Sequence, residues 1–299
     1  MPTYRVGLNP LPWVLTAAGF DLSVPVLRTA FAEIATTPFK GIHADPPSDL
    51  DPAGYRDLLA EFGLSPAPGY FSADFAETEP AELAESAKRF AGIQAELGNS
   101  EVFIAARGTA ARQARPSVGA DFDASILQRV VDGLGRASEA ITAEGVTPAL
   151  HPHVGGPIEV EHEVRAALDG IPASVLSFGP DTGHLSWAGM DAVAVMGDYA
   201  DRIAAVHLKD VHLDQAQAAR EAGASYNQAT REQFTVWTEP GRGDVDLLAA
   251  LQALPDGFAG WVIVEVDVPE APSNLESTQI SGQWITEHLG ADTFSRGPA

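Results

Sequence analysis

The stretch "FGPDTGHLSWAGMD", Phe178–Asp191, decides the fold because it combines a strand end, a tight turn and a helix start. An apolar run stops at Asp181, a glycine and His184 follow, and a helix-like pattern continues beyond them. A carboxylate at the end of a buried strand is costly unless a partner pairs with it. We therefore expect other polar groups to meet Asp181 where this strand ends.

Strand-like segments of the same kind recur along the whole chain. The eight predicted strands are Tyr4–Asn9, Phe39–Ala44, Ser65–Phe71, Glu101–Ala106, Val146–His151, Ser174–Gly179, Ile203–Leu208 and Trp261–Val266. The helix-patterned segments between them are Pro25–Ala35, Pro52–Glu61, Pro80–Leu97, Ala124–Glu144, Glu161–Leu168, Ala192–Asp201, Leu247–Leu254 and Leu275–Leu289. Such alternation predicts a parallel sheet with helices outside it.

Eight strand–helix units in 299 residues match the size of an α/β protein of the (β/α)8 TIM-barrel class. No linker or low-complexity tract divides the chain. We place a single barrel domain at residues 1–290 and a C-terminal tail at residues 291–299. The third strand is the weakest of the eight because it contains Pro66 and Pro68, which donate no backbone hydrogen bond.

One connection is much longer than the usual loop of about 2–6 residues. It runs from Lys209 to Val245, after the seventh strand, on the side where barrel active sites form. We predict a short helix at Ala216–Glu221 and a lid over residues 212–243. Phe234 and Trp237 would then pack toward the ligand.

Composition excludes several classes of protein. There is no cysteine, which rules out disulfides, thiol catalysis and zinc–thiolate sites. The 18 basic and 41 acidic residues give a net charge of -23, which repels nucleic acid and anionic membranes. The chain also lacks a signal-peptide pattern and any apolar run of about 18 residues. We expect a cytoplasmic protein with neither nucleic acid nor membrane as a partner.

Polar residues cluster at the predicted ends of the last four strands. Parallel strands of a barrel present these ends to one shared mouth, so the side chains should be neighbours. Histidine nitrogen and carboxylate oxygen without sulfur suit Mn, Co, Fe or Mg better than a structural zinc. The residues are His151 and His153, then Asp181 and His184, then His207, Lys209 and Asp210, then Glu265 and Asp267.

Taken singly, several of these residues have simpler explanations. Asp181 could belong to an ordinary strand-to-helix turn, and His207 could be a hydrogen-bonded core residue. Glu159 and Glu163 could be solvated acids at a helix start. Glu265 lies inside the apolar run "VIVEV" and needs a partner. The coincidence of four strand ends favours a metal site, with His184 and Lys209 supporting the ligands.

The ordered motifs "HPHVGG…E", "DTGHLSWAG", "DRIAAVHLKDV", "GRGDVDL" and "GWVIVEVD" resemble the xylose-isomerase-like TIM-barrel superfamily of sugar isomerases and epimerases. Within it the chain is most similar to the inosose dehydratase (2-keto-myo-inositol dehydratase) branch. The resemblance is strongest over Val146–Glu265. It implies one divalent metal bound by a carboxylate from strand five, an Asp from strand six, a His from strand seven and a Glu from strand eight.

Carried over to this sequence, the last three ligands are Asp181, His207 and Glu265. The first position departs from the usual pattern, because His151 stands where a glutamate is common. Dehydratase-like members have a His-x-His there, so the departure favours that branch. The fourth ligand stays open among His151, His153 and Glu159, and we favour His151 because it ends the strand.

The resemblance also implies a function. We expect a metal-dependent lyase or isomerase that acts on a keto-cyclitol or keto-sugar through an enediolate, with dehydration by β-elimination favoured. The alternatives are a sugar isomerase or epimerase, or an eliminase of a 3-keto-glycoside. The expected cofactor is one divalent ion, Mn in preference to Co, Fe or Mg. The expected partner is a small sugar or cyclitol, and the family implies a homodimer or homotetramer.

The predicted catalytic residues are Glu159, His184 and Lys209. Glu159, six residues beyond the "HPH" motif, is the leading base, and Glu265 is a second candidate. His184 and Lys209 would serve as acid or polarise the carbonyl. The predicted substrate contacts are His153, Trp13, Trp237 and Arg242, with His43 as a further candidate.

Two other classes of protein are disfavoured. An apurinic-site endonuclease shares the barrel, but the net charge of -23 argues against one. A non-catalytic binding protein on a degenerate barrel is disfavoured by the intact set of Asp181, His207 and Glu265.

Overall fold

The computed structural model describes residues 4–16 and 19–294. Its eight barrel strands, which we number β1 to β8, confirm the predicted (β/α)8 barrel. They are β1 Arg5–Leu8, β2 Gly41–His43, β3 in two segments (Ser65–Ala67 and Tyr70–Ala73), β4 Glu101–Ala106, β5 Thr147–Leu150, β6 Ser177–Phe178, β7 Ala205–Leu208 and β8 Trp261–Val264.

The strands pair in parallel around the barrel. β1 lies between β8 and β2, and β7 pairs with the other edge of β8. The run from β3 to β6 is likewise parallel. Two parallel bridges, Phe178 to Ile203 and Asp181 to His207, connect the β6 side to the β7 side. The second bridge sets two predicted metal ligands side by side.

The third strand differs from the prediction of one segment at Ser65–Phe71. Its first half pairs with β2 and its second half with β4. The break falls at Pro68 and Gly69, where proline lacks an N–H for the ladder. The Gly69 amide instead donates to Gln94 Oε1 at 3.1 Å. The chain therefore changes partners at this point while the barrel remains closed.

The helices follow the predicted segments, usually within three residues at each end. Their bounds are α1 Leu11–Val14, α2 Val24–Ile34, α3 Pro52–Ala60, α4 Pro80–Leu97, α5 Ala110–Ala114, α6 Ala124–Ala143, α7 Glu161–Gly170, α8 Thr182–Trp187, α9 Ala192–Asp198, α10 Leu213–Glu221, α11 Leu247–Gln252 and α12 Asn274–Leu289. The short helices α1 and α5 were not predicted, while α8 coincides with the helix-like pattern after Asp181, for which no bounds were predicted. None of the helices in the described part of the chain is long and apolar enough to cross a membrane.

The N-terminal end of the barrel interior is filled by a large side chain. Trp261 begins β8 and packs in a cluster with Phe103 and Ile263. Room for its indole comes from Gly41, where an added Cβ would lie 2.4 Å from the ring. The Arg5 guanidinium stacks 4.6 Å from the Trp261 ring centroid and pairs with Glu101 at 3.0 Å. The interior is thus closed at this end, and polar groups collect at the other.

The chain stays packed beyond residue 290, where we placed the start of the tail. Ala291–Phe294 forms a 3₁₀ turn, and the Phe294 ring contacts Phe39 edge-on, with centroids 5.1 Å apart. Residues 295–299 of the predicted tail lie outside the described residues.

The long connection after β7 has its own structure. A two-stranded antiparallel ribbon joins Asp210–Val211 to Trp237–Thr238, and helix α10 starts three residues before the predicted Ala216. A π-helical turn follows at Gln228–Glu232. The buried Asp210 carboxylate accepts backbone hydrogen bonds at 2.9–3.1 Å from Val211, Gly241, Gly243 and Val245. Asp210 therefore fixes the returning end of this connection and does not join the metal-ligand candidates.

We predict that Asp210→Ala lowers the free energy of unfolding by at least about 2 kcal/mol, because it removes a buried carboxylate that accepts from four backbone amides. Urea unfolding measures the loss, and hydrogen exchange should become faster at Gly241, Gly243 and Val245. Asp214→Ala is the control, since Asp214 is exposed and its hydrogen bonds reach only the adjacent Gln215. Equal stability of the two variants would contradict the anchoring role of Asp210.

Candidate metal centre

Three predicted ligands meet at the C-terminal end of the barrel. His207 Nδ1 lies 3.1 Å from Glu265 Oε2 and 3.8 Å from Asp181 Oδ2. All three side chains are buried. His207 lies on β7, Glu265 follows β8 directly, and Asp181 follows β6 by three residues. The convergence of strand ends expected from the sequence therefore holds for these side chains.

His151 lies at the same cluster. Its Nε2 is 3.9 Å from Asp181 Oδ2, and its ring meets that of His207 with centroids 4.6 Å apart. The two carboxylate oxygens of Asp181 have different surroundings. Oδ1 accepts the His184 amide at 2.7 Å and caps helix α8, while Oδ2 has no hydrogen-bond partner. The helix thus holds the Asp181 carboxylate through Oδ1, while Oδ2 faces Lys209, His207 and His151 at 3.4–3.9 Å without making a hydrogen bond.

These side chains fit a divalent cation. Asp181 Oδ2 and His207 Nε2 are buried and lack hydrogen-bond partners, which is costly for polar atoms in an apolar interior. Ligand atoms bound at about 2.1 Å to one ion lie about 3.0–3.4 Å apart. The separations of His207 from Glu265 and Asp181 and of His151 from Asp181 are 3.1, 3.8 and 3.9 Å, and they need only small adjustments to reach that spacing. The four residues form a cluster able to bind a metal ion.

Lys209 supports this cluster from behind. Its ammonium lies 2.7 Å from Glu265 Oε1, 2.6 Å from Asp267 Oδ1 and 3.4 Å from Asp181 Oδ2. Burial disfavours its charge, but the three carboxylates outweigh burial and raise the pKa of Lys209 well above its usual value. Lys209 therefore stays charged. This favours electrostatic support of the carboxylates over the predicted role of proton donor.

The pKa values of the three carboxylates are shifted in different directions. Burial raises the pKa of Asp181, and raises that of Asp267 to about 7. Burial also acts against ionisation of Glu265, but Lys209 and His207 more than offset it and hold the pKa of Glu265 well below its usual range. Glu265 is therefore the carboxylate whose charge the surroundings stabilise most clearly.

His184 lies in the second layer of the cluster. Its Nδ1 accepts the Val154 amide at 3.3 Å, and its Nε2 lies 3.4 Å from Lys209 Nζ. Burial holds the pKa of His184 well below its usual range, and lowers that of His153 to about 4. The His153 ring packs on His184 with centroids 3.9 Å apart.

Glu159 lies in a different environment from the one we predicted. Its carboxylate accepts backbone hydrogen bonds from Gly155 at 2.7 Å, Gly119 at 2.9 Å and Ser117 at 3.1 Å, and pairs with Arg112 at 3.0 Å. Arg112 also pairs with Glu163. A general base needs a free lone pair within reach of the substrate proton. The geometry therefore gives no support to Glu159 as general base or as metal ligand.

Three predicted substrate contacts do not line the cavity beside the cluster. The Trp13 indole donates to Glu33 at 2.8 Å. Trp237 is buried between Trp187 and the Lys209 ammonium, which lies 4.6 Å from its ring. Arg242 is exposed, 3.5 Å from Glu239. The geometry thus favours packing or surface roles for these three side chains, and only His153 of the four predicted contacts lines the cavity.

The long connection contributes a residue that we did not single out. Tyr226 stacks on His153, with centroids 6.1 Å apart, and its hydroxyl lies 3.4 Å from Asp267 Oδ2. Phe234 instead packs in a satellite apolar cluster with Trp187 and Trp237. The connection therefore packs directly beside the centre. That it closes over a substrate stays a prediction.

The cavity itself opens next to the cluster and has a volume of about 110 Å³. Asn9 follows β1, and its amide donates to Glu265 Oε2 at 2.6 Å. The strand-end rule that found the ligands could also have found Asn9, at the end of the first predicted strand, and Asp45, which directly follows the second, whereas Tyr70 lies inside the predicted third strand. The polar lining comprises Asn9, His43, Asp45, Tyr55, Tyr70, His151, His153 and Glu265.

We predict that Glu159→Gln lowers the free energy of unfolding by about 2–4 kcal/mol, because it breaks a buried ion pair and turns an amide donor toward backbone N–H groups. Metal content should not change. Glu161→Gln, two residues along the chain, is the matched control, since Glu161 pairs only at the surface with Arg165. Full stability of Glu159→Gln with a large loss of turnover would instead restore Glu159 as the base.

The chain is similar in sequence and in fold to known proteins. The chain is 27% identical to an inosose dehydratase of Geobacillus thermodenitrificans over 295 residues, covering 96% of this chain and 97% of the relative. A xylose isomerase-like TIM-barrel protein from Mycobacterium smegmatis, solved in complex with magnesium, superposes with a TM-score of 0.69 and 16% identity over 98% of both chains. A D-allulose 3-epimerase from Methylomonas sp. gives a TM-score of 0.67 with 16% identity, over 96% of this chain and 98% of its own.

At 16% identity, the two solved structures show only that the fold is shared. The family model of xylose isomerase-like TIM barrels matches residues 30–288, which is most of the chain. The chain therefore belongs to the xylose isomerase-like TIM-barrel family.

Proposed function

We propose that this enzyme is a metal-dependent dehydratase of a keto-cyclitol or keto-sugar, acting through an enediolate. The observation that carries the proposal is the cluster of Asp181, His207 and Glu265, with His151 beside it and buried oxygen and nitrogen atoms left unpaired. The relative named inosose dehydratase, which aligns over nearly the whole chain, supports the choice of dehydration.

The proposed ligands are His151, Asp181, His207 and Glu265, and manganese is the ion we favour. A divalent ion held there would act as a Lewis acid toward a ketone and its neighbouring hydroxyl. The chain supplies the rest of the chemistry. Glu265 is our candidate base because it is the ligand-set carboxylate that lines the cavity. Lys209 and Asn9 orient Glu265 through bonds of 2.7 and 2.6 Å.

Dehydration also needs a proton for the departing hydroxyl. His153 lines the cavity wall, but burial lowers its pKa to about 4 and its Nδ1–H donates to the Val154 carbonyl at 2.7 Å. Its free Nε2 is therefore a candidate acceptor for a substrate hydroxyl and not the proton donor, and the His184 ring packs behind it. The cavity lining contains neither lysine nor arginine among the described residues. Phosphate groups are bound most effectively by such cations, so the proposed substrate is not phosphorylated.

The first test incubates the manganese-loaded protein with 2-keto-myo-inositol in D₂O. We expect deuterium to enter the position next to the carbonyl and water to be lost, both followed by NMR. Dehydration and isomerisation share the first proton abstraction, so the product separates them. A rearranged sugar without water loss would assign the isomerase or epimerase alternative, and exchange without any product would contradict both.

The second test concerns the metal. We predict that Glu265→Gln lowers manganese affinity by about 10–100-fold or more, because a buried anionic ligand is lost. Direct titration with elemental analysis measures the change, and circular dichroism checks the fold. Glu270→Gln is the control, since Glu270 contacts His212 and Thr238 outside the cluster. Unchanged manganese affinity in Glu265→Gln would remove Glu265 from the ligand set.

A further inference from the structure

The cavity beside the metal cluster has two chemically different walls. The polar wall contains the ligand candidates His151 and Glu265, together with Asn9 and His43. A second wall, beside Tyr55, carries only apolar side chains. It is formed by Pro10, Leu11, Val14, Phe20, Leu22 and Leu27.

The apolar wall is built into the fold. Val14 is 3% and Leu27 1% exposed, and both belong to the main hydrophobic core. Leu11 and Leu22 are half-buried and pack against that core. The Asp21 amide donates to the Val14 carbonyl at 2.8 Å and ties the two segments together. The wall therefore exists before any ligand arrives.

Phe20 extends this wall to the rim of the cavity. The pairing of Leu15 with Phe20 in the short ribbon after α1 positions it there. Its side chain is 66% exposed, which makes it the most exposed large apolar residue in the described part of the chain. An exposed aromatic ring at the edge of a pocket is available to contact a ligand.

A fully hydroxylated ring does not suit this surface. Hydroxyl groups pressed against Leu11, Val14 and Leu22 would lose water without gaining a hydrogen-bond partner. A phosphate would meet the same wall without a cation to pair with it. An apolar substituent would be complementary, because its burial against leucine and phenylalanine removes apolar surface from water on both sides.

We propose that the substrate carries a small apolar group beside its keto-ring, so that the ring faces Glu265 and His151 while the substituent lies on Leu11, Phe20 and Leu22. The volume of about 110 Å³ is smaller than the roughly 150 Å³ that encloses benzene, so the cavity cannot enclose both the keto-ring and the substituent. The substituent therefore lies at the open rim, where Leu11 and Leu22 are half-buried and Phe20 is exposed. This inference rests on the proposed function and names the class of substrate for the same site.

The test measures binding rather than turnover. Methyl and phenyl β-D-glucopyranoside serve as probes, because neither has a ketone that can enolise and both share the same sugar. Calorimetric titration into the manganese-loaded protein gives the two dissociation constants. We expect the phenyl glucoside to bind at least about tenfold more tightly, with a more negative heat-capacity change, as burial of one aromatic ring implies.

Leu22→Asn places an amide in the apolar wall, and we expect it to reduce the phenyl-to-methyl preference to about twofold or less. Leu50→Asn is the matched control, since Leu50 is also half-buried against the core but does not line the cavity. Thermal unfolding checks both variants. If Leu22→Asn does not fold, Leu22→Ala replaces it, with a smaller loss of preference expected.

Two results would overturn this inference. One is equal affinity for the two glucosides, and the other is a phenyl-to-methyl preference that is the same in Leu22→Asn as in Leu50→Asn. Its failure is distinct from failure of the proposed function. If water loss from 2-keto-myo-inositol is observed but the glucosides bind equally, the function stands and the apolar substituent is wrong. If the phenyl preference holds and no keto-substrate exchanges deuterium, the wall is correct and the proposed reaction is wrong.

Discussion

The ion pairs of Lys209 with Asp181, Glu265 and Asp267 are the interaction on which the polar end of the barrel depends. Three carboxylates are buried there, and Lys209 is the one lysine or arginine within ion-pair distance of them in the described residues. Removing such charges from water costs several kcal/mol each unless they are paired. One ammonium leaves them with an excess of negative charge, which a divalent cation would balance.

The surrounding structure keeps Lys209 in place. The Lys209 amide donates to Thr182 Oγ1 at 2.9 Å, which fixes the backbone of Lys209. The ring of Trp237, which belongs to the long connection, covers the ammonium. Asp210, the next residue, fixes the return of that same connection through backbone amides. The segment "LKD" therefore links strand, metal cluster and long connection. This arrangement explains why a connection of that length is ordered directly beside the centre.

Sequence reasoning succeeded where the strand period and the barrel topology determine position. His207, Asp181 and Glu265 follow from the rule that parallel strands end at one mouth. It did not anticipate the surroundings of Glu159, because its partner Arg112 lies 47 residues away on the short helix α5, which has no periodic signal. Trp13 and Tyr226 show the same limit, since loop and short-helix side chains take their direction from tertiary packing. The break of β3 at Pro68 was visible only as a weak strand.

The central claim is that His151, Asp181, His207 and Glu265 hold one divalent ion. Anomalous diffraction at the manganese absorption edge, from crystals grown with manganese, tests it most directly. We predict one strong peak within about 2.0–2.5 Å of Asp181, His207 and Glu265, with His151 as the fourth protein ligand. A map without a peak among these side chains, or with the ion bound only at surface carboxylates, would contradict the account.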